Sequence, residues 1–498
     1  MIDRGRWGCL RRCSDRCRGG PLWPPQDDHH AGVATEGHPY NDPRELEMSA
    51  VGWRVIDGAA ELTRRISDFG DATPNYDQLF EGYARLALQP GSAVLIFAPN
   101  SVEFLLHWIA AVANGYVPCA IAPSTKSSLV TALQKSLKIA AIVGPHLDPT
   151  RYQAKHVGTI GTFNAAVFNR IPPAYEPFDV LILTTGTSGS QTACVHTVES
   201  LACNASMTNK ALNITAADKQ LCVLPLYHSY GLVTQSLGSI LSGCELKIDG
   251  PPFNANRFAD LIRKERITIC GITPTIARDL LRRVTVLPDL RSMSIGGDRV
   301  SPEEVMSLLS KPFINELYIT YGMTEAGPRV SVLPAHTAPV EAYDSVGMAF
   351  SGVSTRIEKP DAAGVGQLLV KTPSVCRRKV GENIQRQPFT ADGFLETGDL
   401  FTKDAAGYLR YVARKADILI VRGEKLNTRS IDLVAELHPD VEFARTKAGD
   451  MNSLITRLWA RDDKILDLEE IKKFMKSHLR LHEVPDVVIQ QRNDVFHK

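Results

Sequence analysis

From about residue 93 onward, short apolar runs closed by turn residues alternate with amphipathic stretches. Residues 93–98 (AVLIFA) form an unbroken apolar run that ends at Pro99-Asn100, the pattern of a buried strand and its turn. Ser101 then stands where a helix needs its N-cap, Phe104, Trp108, Ala111 and Val112 make the stripe behind it, and Gly115 supplies the stop. Residues 117–121 predict the next strand, 129–137 a second helix and 139–143 a third strand. This βαβαβ order predicts a parallel sheet covered by helices.

The pattern returns in "LCVLPL", "RITICGI", "SMSI" and "ELYIT", with a helix expected over 275–283. Each of these strands runs into a polar or glycine-rich loop, and open α/β sheets collect ligands at the carboxyl ends of their strands. Beyond about residue 340 short strands and turns dominate. Residues 416–498 read as a small α+β unit. Its helix over 467–480 opens on Asp467 with Glu470 three residues later, a capping-box spacing, and carries the stripe Ile471, Phe474, Met475 and Leu479. The expected fold class is therefore α/β. A leader (1–47) precedes a large N-terminal domain (48–413) of parallel and mixed sheets covered by helices, and a small C-terminal domain (414–498) follows.

At 498 residues with 44% hydrophobic and 22% charged residues, the chain has the composition of a multi-domain globular protein. A net charge of +1 with dispersed Lys and Arg gives no nucleic-acid footprint. No stretch is long and apolar enough for a membrane span; the best, "FLLHWIAAVANGYVPCAIA", is interrupted by His107, Asn114, Gly115 and Pro118. The ten cysteines are dilute, and those in apolar runs, such as Cys222 and Cys270, read as buried reduced thiols of a cytoplasmic protein. Residues 1–47 lack both periodicity and a signal-peptide core, and read as a disordered leader in which Cys9, Cys13 and Cys17 lack a metal-site pattern. Met48 is a plausible alternative start.

Five loops carry candidate chemistry. "TTGTSGS" follows an apolar strand, and its glycines and hydroxyls suit a backbone nest for phosphate. It lacks the GK[ST] of the common P-loop, and a plain Ser/Thr/Gly connection reads almost equally well. "LPLYHSYGL" sets His228 between two tyrosines, where a core histidine is the plainer reading. "YGMTEAG" offers Tyr321 for stacking, Thr324 as a donor and Glu325 as a hard oxygen ligand for Mg2+. "TGDL" offers Asp399 to two ribose hydroxyls. Arg414 stands at the expected domain boundary.

In this order and spacing, the five loops resemble the adenylate-forming superfamily of acyl- and aryl-CoA ligases, luciferases and nonribosomal peptide synthetase adenylation domains. "SVGMAF", "DGFLETGDL" and "DAAGYLRYVAR" extend the likeness, which runs over about residues 55–498. The resemblance implies an ATP-dependent enzyme. A small carboxylic acid attacks the α-phosphate, pyrophosphate leaves, and the acyl group passes to a thiol of CoA or of a carrier protein's phosphopantetheine. No carrier module is present in the sequence, so a carrier acceptor would be a separate protein. By the same resemblance Thr184, Thr185, Gly186, Thr187, Ser188 and Gly189 hold the β- and γ-phosphates. Gly297 and Asp298 flank adenine with Tyr321 and Gly322 beside it. Thr324 contacts the α-phosphate, Glu325 the magnesium, and Asp399 with Arg414 the ribose. His228 gates the carboxylate, and Tyr230, Gly296 and Met323 border the acyl pocket.

The chain departs from the pattern at three places. The phosphate loop of the family runs on into Pro-Lys, where this chain has Gln191 and Thr192. The adenylating lysine of the family sits in a late GK pair, which "VPDVVIQQRNDVFHK" does not reach; Lys498 lacks the glycine. Ala416 and Ala413 stand at the hinge position and before Arg414. One lost charge-assisted contact of this kind costs ~2–4 kcal/mol in a transition state. The expectation is an enzyme of impaired speed, with a non-catalytic or half-catalytic nucleotide- or adenylate-binding relative as the alternative.

Overall fold

The structure, a computed structural model, describes residues 65–68, 75–185, 191–283, 290–382, 384, 386–421, 424–449, 453–461 and 464–491. The expected leader, Met48, the three leader cysteines, Gly186 to Gly189 and Lys498 lie outside the described residues.

The predicted βαβαβ unit is present as β1 (Ala93–Phe97), α1 (Val102–Ala113), β2 (Val117–Ile121), α2 (Ser127–Ser136) and β3 (Ile139–Gly144). Ser101 caps α1, its side chain accepting from the Phe104 N–H at 3.0 Å. Strands β1, β2 and β3 pair in parallel. The chain then makes a hairpin of β4 (Asp179–Thr185) and β5 (Gln191–Thr197), and β4 lies beside β2. An antiparallel pair, Lys155–Ile160 and Phe163–Val167, closes the far edge, so this eight-stranded sheet is mixed.

A second eight-stranded sheet contains β6 (Leu290–Gly296), β7 (Ile314–Gly322) and β8 (Arg329–Pro334). β6 and β7 run parallel, while β8 returns antiparallel to β7. Helix α1 is buried nearly all round, as its apolar sequence requires. It shares one core with helix Val198–Ala211 and with Val94, Ile96, Leu246 and Ile248 of the two sheets. The sheets are thus held by a common helical layer. Cutting Leu105 in that layer to Ala costs about 2–5 kcal/mol by the general behaviour of core truncations.

Three further strands matter for the site. β9 (Arg378–Gly381) leaves the late, turn-rich part of the chain and adds to the edge of the first sheet against β5. β10 (Leu395–Lys403) and β11 (Leu409–Arg414) pair in a separate four-stranded antiparallel sheet. Past Arg414 come a hairpin (Ile418–Val421 with Glu424–Asn427), helix Thr428–Glu436 and a three-stranded sheet with helix Leu468–His478. Asp467 caps that helix from its side chain to the Glu469 and Glu470 N–H groups. Only the N-cap half of the expected box forms: no hydrogen bond returns from the Glu470 side chain. Its buried face is Ile471 and Met475, with Phe474 and Leu479 half-buried.

Candidate active site

The loop that joins β7 to β8 is the centre of the site. Gly322 is required there: a Cβ would land on the Pro328 carbonyl oxygen, and the Met323 N–H donates to that same oxygen at 2.8 Å. Thr324 and Glu325 sit on a single 3-10 turn (Thr324–Ala326). The Cys376 N–H donates to the Glu325 carbonyl at 2.9 Å.

Tyr321 ends β7 and leans on Phe401, ring centroids 4.9 Å apart. Its hydroxyl donates to Asp399 Oδ2 at 2.7 Å, and Arg414 Nε donates to Asp399 Oδ1 at 2.9 Å. Asp399 is 3% exposed and directly opposes Arg414 in the β10–β11 ladder. Gly398 before it has φ +74°, the left-handed value glycine adopts without strain. Burial and the Asp399 charge raise the Tyr321 phenol well above its ordinary range, so it stays a donor. Three residues singled out separately in sequence, Tyr321, Asp399 and Arg414, form one cluster. Gly297, with φ +100° and nothing within 4 Å of a would-be Cβ, and Asp298 are exposed at the end of β6, next to Tyr321 in the sheet.

In the β4–β5 hairpin, where the resemblance expects the phosphates, Thr184 opposes Thr192, their hydroxyl oxygens 2.7 Å apart. Thr192 is only 8% exposed. A hydroxyl tied across the hairpin therefore stands where the resemblance expects a lysine. The described part of the loop is Thr184 and the backbone of Thr185; Gly186, Thr187, Ser188 and Gly189 lie outside it.

Strand alternation puts Thr192, Cys194 and His196 on one face of β5, and Lys379 of β9 opposes Cys194 on that face. The 324–325 turn packs against the same face. His196 Nε2 donates to the Thr324 carbonyl at 2.8 Å, and Lys379 Nζ donates to Glu325 Oε1 at 2.7 Å. Burial lowers His196 to about 4, which keeps it neutral. Burial alone would lower Lys379, but the charge and hydrogen bond of Glu325 outweigh it and hold the ammonium above its ordinary value. Cys194 and Cys376 flank His196 with ligand atoms within 4.8 Å, but its Nε2 is already committed to Thr324.

His228 is half-buried, 4.7 Å edge-on from the Tyr227 ring, and burial lowers its imidazole below the ordinary value. Ser229 beside it comes within 3.4 Å of the Thr324 hydroxyl. Of the expected acyl-pocket residues, Tyr230 and Gly296 face each other across the Arg329 guanidinium. The guanidinium carbon lies 4.0 Å from the Tyr230 ring centroid, and a Gly296 Cβ would meet Nη1 at 2.5 Å. Met323 is half-buried on the β7–β8 loop.

Lys379, Arg329, His196 and Ser229 were missed by sequence reasoning. Lys379 and His196 sit in strands where a polar residue reads as solvent-facing, and their partners lie 54 and 128 residues away. Ser229, inside a loop already singled out, was the one within reach.

Glu325 fits magnesium by its donor chemistry, a hard carboxylate oxygen beside a threonine hydroxyl, and the ammonium of Lys379 already shows that the position takes positive charge. No described helix is long and apolar enough to cross a membrane.

Known proteins resemble this chain in sequence and fold. The family model for AMP-binding enzyme matches residues 75–378. A 2-succinylbenzoate–CoA ligase of Staphylococcus aureus (strain bovine RF122 / ET3-1) is 26% identical over 311 residues, 61% of this chain and 61% of that protein. The chain thus aligns with less than two thirds of that relative's length. Among solved structures, o-succinylbenzoate CoA synthetase from Bacillus subtilis with its acyl-adenylate intermediate superposes with a TM-score of 0.74. That pair is 20% identical and covers 88% of this chain and 94% of that one. The same synthetase with ATP and magnesium ion gives a TM-score of 0.72 at 21% identity, covering 88% and 95%. With more than half of its length matched by the family model and the fold shared over 88% of it, this chain belongs to the AMP-binding enzyme family.

Proposed function

We propose that the protein activates a small carboxylic acid with ATP to an acyl-adenylate and passes the acyl group to CoA. The observation that carries this is the convergence of Tyr321, Asp399 and Arg414 into one cluster at the end of β7, beside the Thr324–Glu325 turn.

In the first step a carboxylate oxygen attacks the α-phosphorus, and the bond to pyrophosphate breaks. In the second, a thiolate attacks the acyl carbon and AMP leaves. Asp399 takes the ribose hydroxyls with Arg414, Tyr321 and Gly297 bound the adenine, and Thr324 donates to the α-phosphate. Magnesium, when bound at Glu325, supplies charge neutralisation for the departing pyrophosphate. Lys379 stands in for the absent loop lysine. It lies on the same face as Thr192 and delivers an ammonium to the carboxylate that the metal uses. His228 is neutral and bounds the approach of the acid. Residues 414–498 form a small domain that turns about Arg414 between the steps. A separate carrier protein's phosphopantetheine is the alternative thiol.

ATP–pyrophosphate exchange with a panel of carboxylic acids tests the first step. Acid-dependent exchange is expected. Tight ATP binding with no exchange for any acid defeats the enzyme reading in favour of a nucleotide-binding relative.

A further inference from the structure

Arg329 opens β8 and is 4% exposed. Its backbone is fixed on both sides by the fully buried Asn204, which accepts from the Arg329 N–H at 3.0 Å and donates to its carbonyl at 2.9 Å. The guanidinium is thereby aimed between Tyr230 and Gly296. Tyr230 is itself fixed, its hydroxyl donating to the Ser294 carbonyl at 3.2 Å. Nε has no hydrogen-bond partner, and among the described residues no carboxylate lies within ion-pair distance of the group. A guanidinium does not give up its proton. An enclosed, unpaired cation costs more than one aromatic face returns, so the site calls for an anion.

The guanidinium lies at Gly296 and Thr320, paired positions in the body of the sheet. Thr324, where the α-phosphate is met, is four residues further on, on the turn. Four strand residues span at most about 13 Å, so a short acid reaches both points. Resting on the acid-activation reading, we infer that the substrate carries a second anionic group and that Arg329 is the residue that pairs with it. Gly296 is the companion position: it leaves the room that the guanidinium fills, and a side chain there would displace it.

The test is ATP–pyrophosphate exchange with succinic, glutaric and phthalic acids, each against its monomethyl ester, with octanoic and benzoic acids alongside. At least one diacid is expected to exceed its ester in kcat/KM by about ten- to hundredfold, the range for a hydrogen-bonded charge pair. Arg329→Met should erase that ratio and Arg329→Lys should keep part of it. The preferred diacid should raise the unfolding temperature of the wild type and not of Arg329→Met. Equal exchange for diacids and esters, or exchange with octanoic or benzoic acid alone, overturns the inference while leaving the activity standing. Exchange with none of the eight acids defeats the activation of short acids itself. Should Arg329→Met fail to fold, the wild-type diacid-to-ester ratio and Arg329→Lys decide.

Discussion

Lys379→Met removes the ammonium and keeps most of the side chain's volume. Lys379 Nζ and Glu325 Oε1 are 2.7 Å apart, with side chains 23% and 12% exposed. At that separation and an effective dielectric of about 20, the gross Coulomb attraction is about 6 kcal/mol. Desolvation and ordering of the two chains offset most of it, leaving a net loss of about 1–3 kcal/mol on truncation. In a protein of this size that lowers the unfolding temperature by a few degrees. One ligand response reports the freed carboxylate, and a second separates a phosphate role from an ordinary ion pair. In the wild type, magnesium without nucleotide must compete with Lys379 for Glu325, so it should shift unfolding little; in the variant the freed carboxylate should give a clear magnesium-dependent rise. Equilibrium titration in EDTA should show ATP bound about ten- to hundredfold more weakly by the variant, with AMP unchanged, because AMP lacks the β- and γ-phosphates. An unaltered ATP-to-AMP affinity ratio in a folded variant would refute the assignment and leave Lys379 a structural partner of Glu325.

Other expectations are simpler. Asp399→Ala should weaken ATP and AMP together, by about tenfold or more in a binding titration; unchanged affinity contradicts the ribose assignment. His196 is neutral in the fold and titrates near 4, below its ordinary value near 6.5. As pH falls from about 6.5 toward 4 the unfolded chain takes up the proton first, so stability present at neutral pH should drop by up to about 3 kcal/mol. Urea unfolding at pH 7 and 4.5 measures this. His196→Gln, whose amide can still donate to Thr324, should flatten the profile, and an equally steep variant profile excludes His196 as its source. Gly322→Ala drives a methyl into the Pro328 carbonyl and should cost about 1–3 kcal/mol by thermal unfolding.

The first βαβαβ unit was legible because each of its elements obeys one period and ends on its own punctuation, Pro99-Asn100, Ser101 or Gly115. The Tyr321–Asp399–Arg414 cluster was legible as separate loops, because each residue sits in a short motif; their mutual hydrogen bonds are a product of two sheets meeting. Arg329 was not legible: at the head of "RVSVLP" it reads as the solvated end of an apolar strand, and only Asn204, 125 residues earlier, turns it inward. The missing half of the Asp467 box has a similar cause, since spacing alone cannot say whether Glu470 reaches back or stays in water.

The strand that carries Lys379 also has a bearing on synthesis. β5 pairs with β4 at once, but its other edge is covered only by residues 378–381, almost two hundred positions downstream. Until those residues leave the ribosome, a hairpin of sequence "DVLILTT" and "QTACVHT" presents an open row of backbone donors and acceptors, the template on which chains associate wrongly. At about 5–20 residues per second that interval lasts on the order of ten seconds or more. Fragments cut between residues 200 and 375 should therefore aggregate through this edge, while a cut after 381 leaves it sealed. The same short segment that pairs Lys379 with Glu325 is also the last strand to close that sheet.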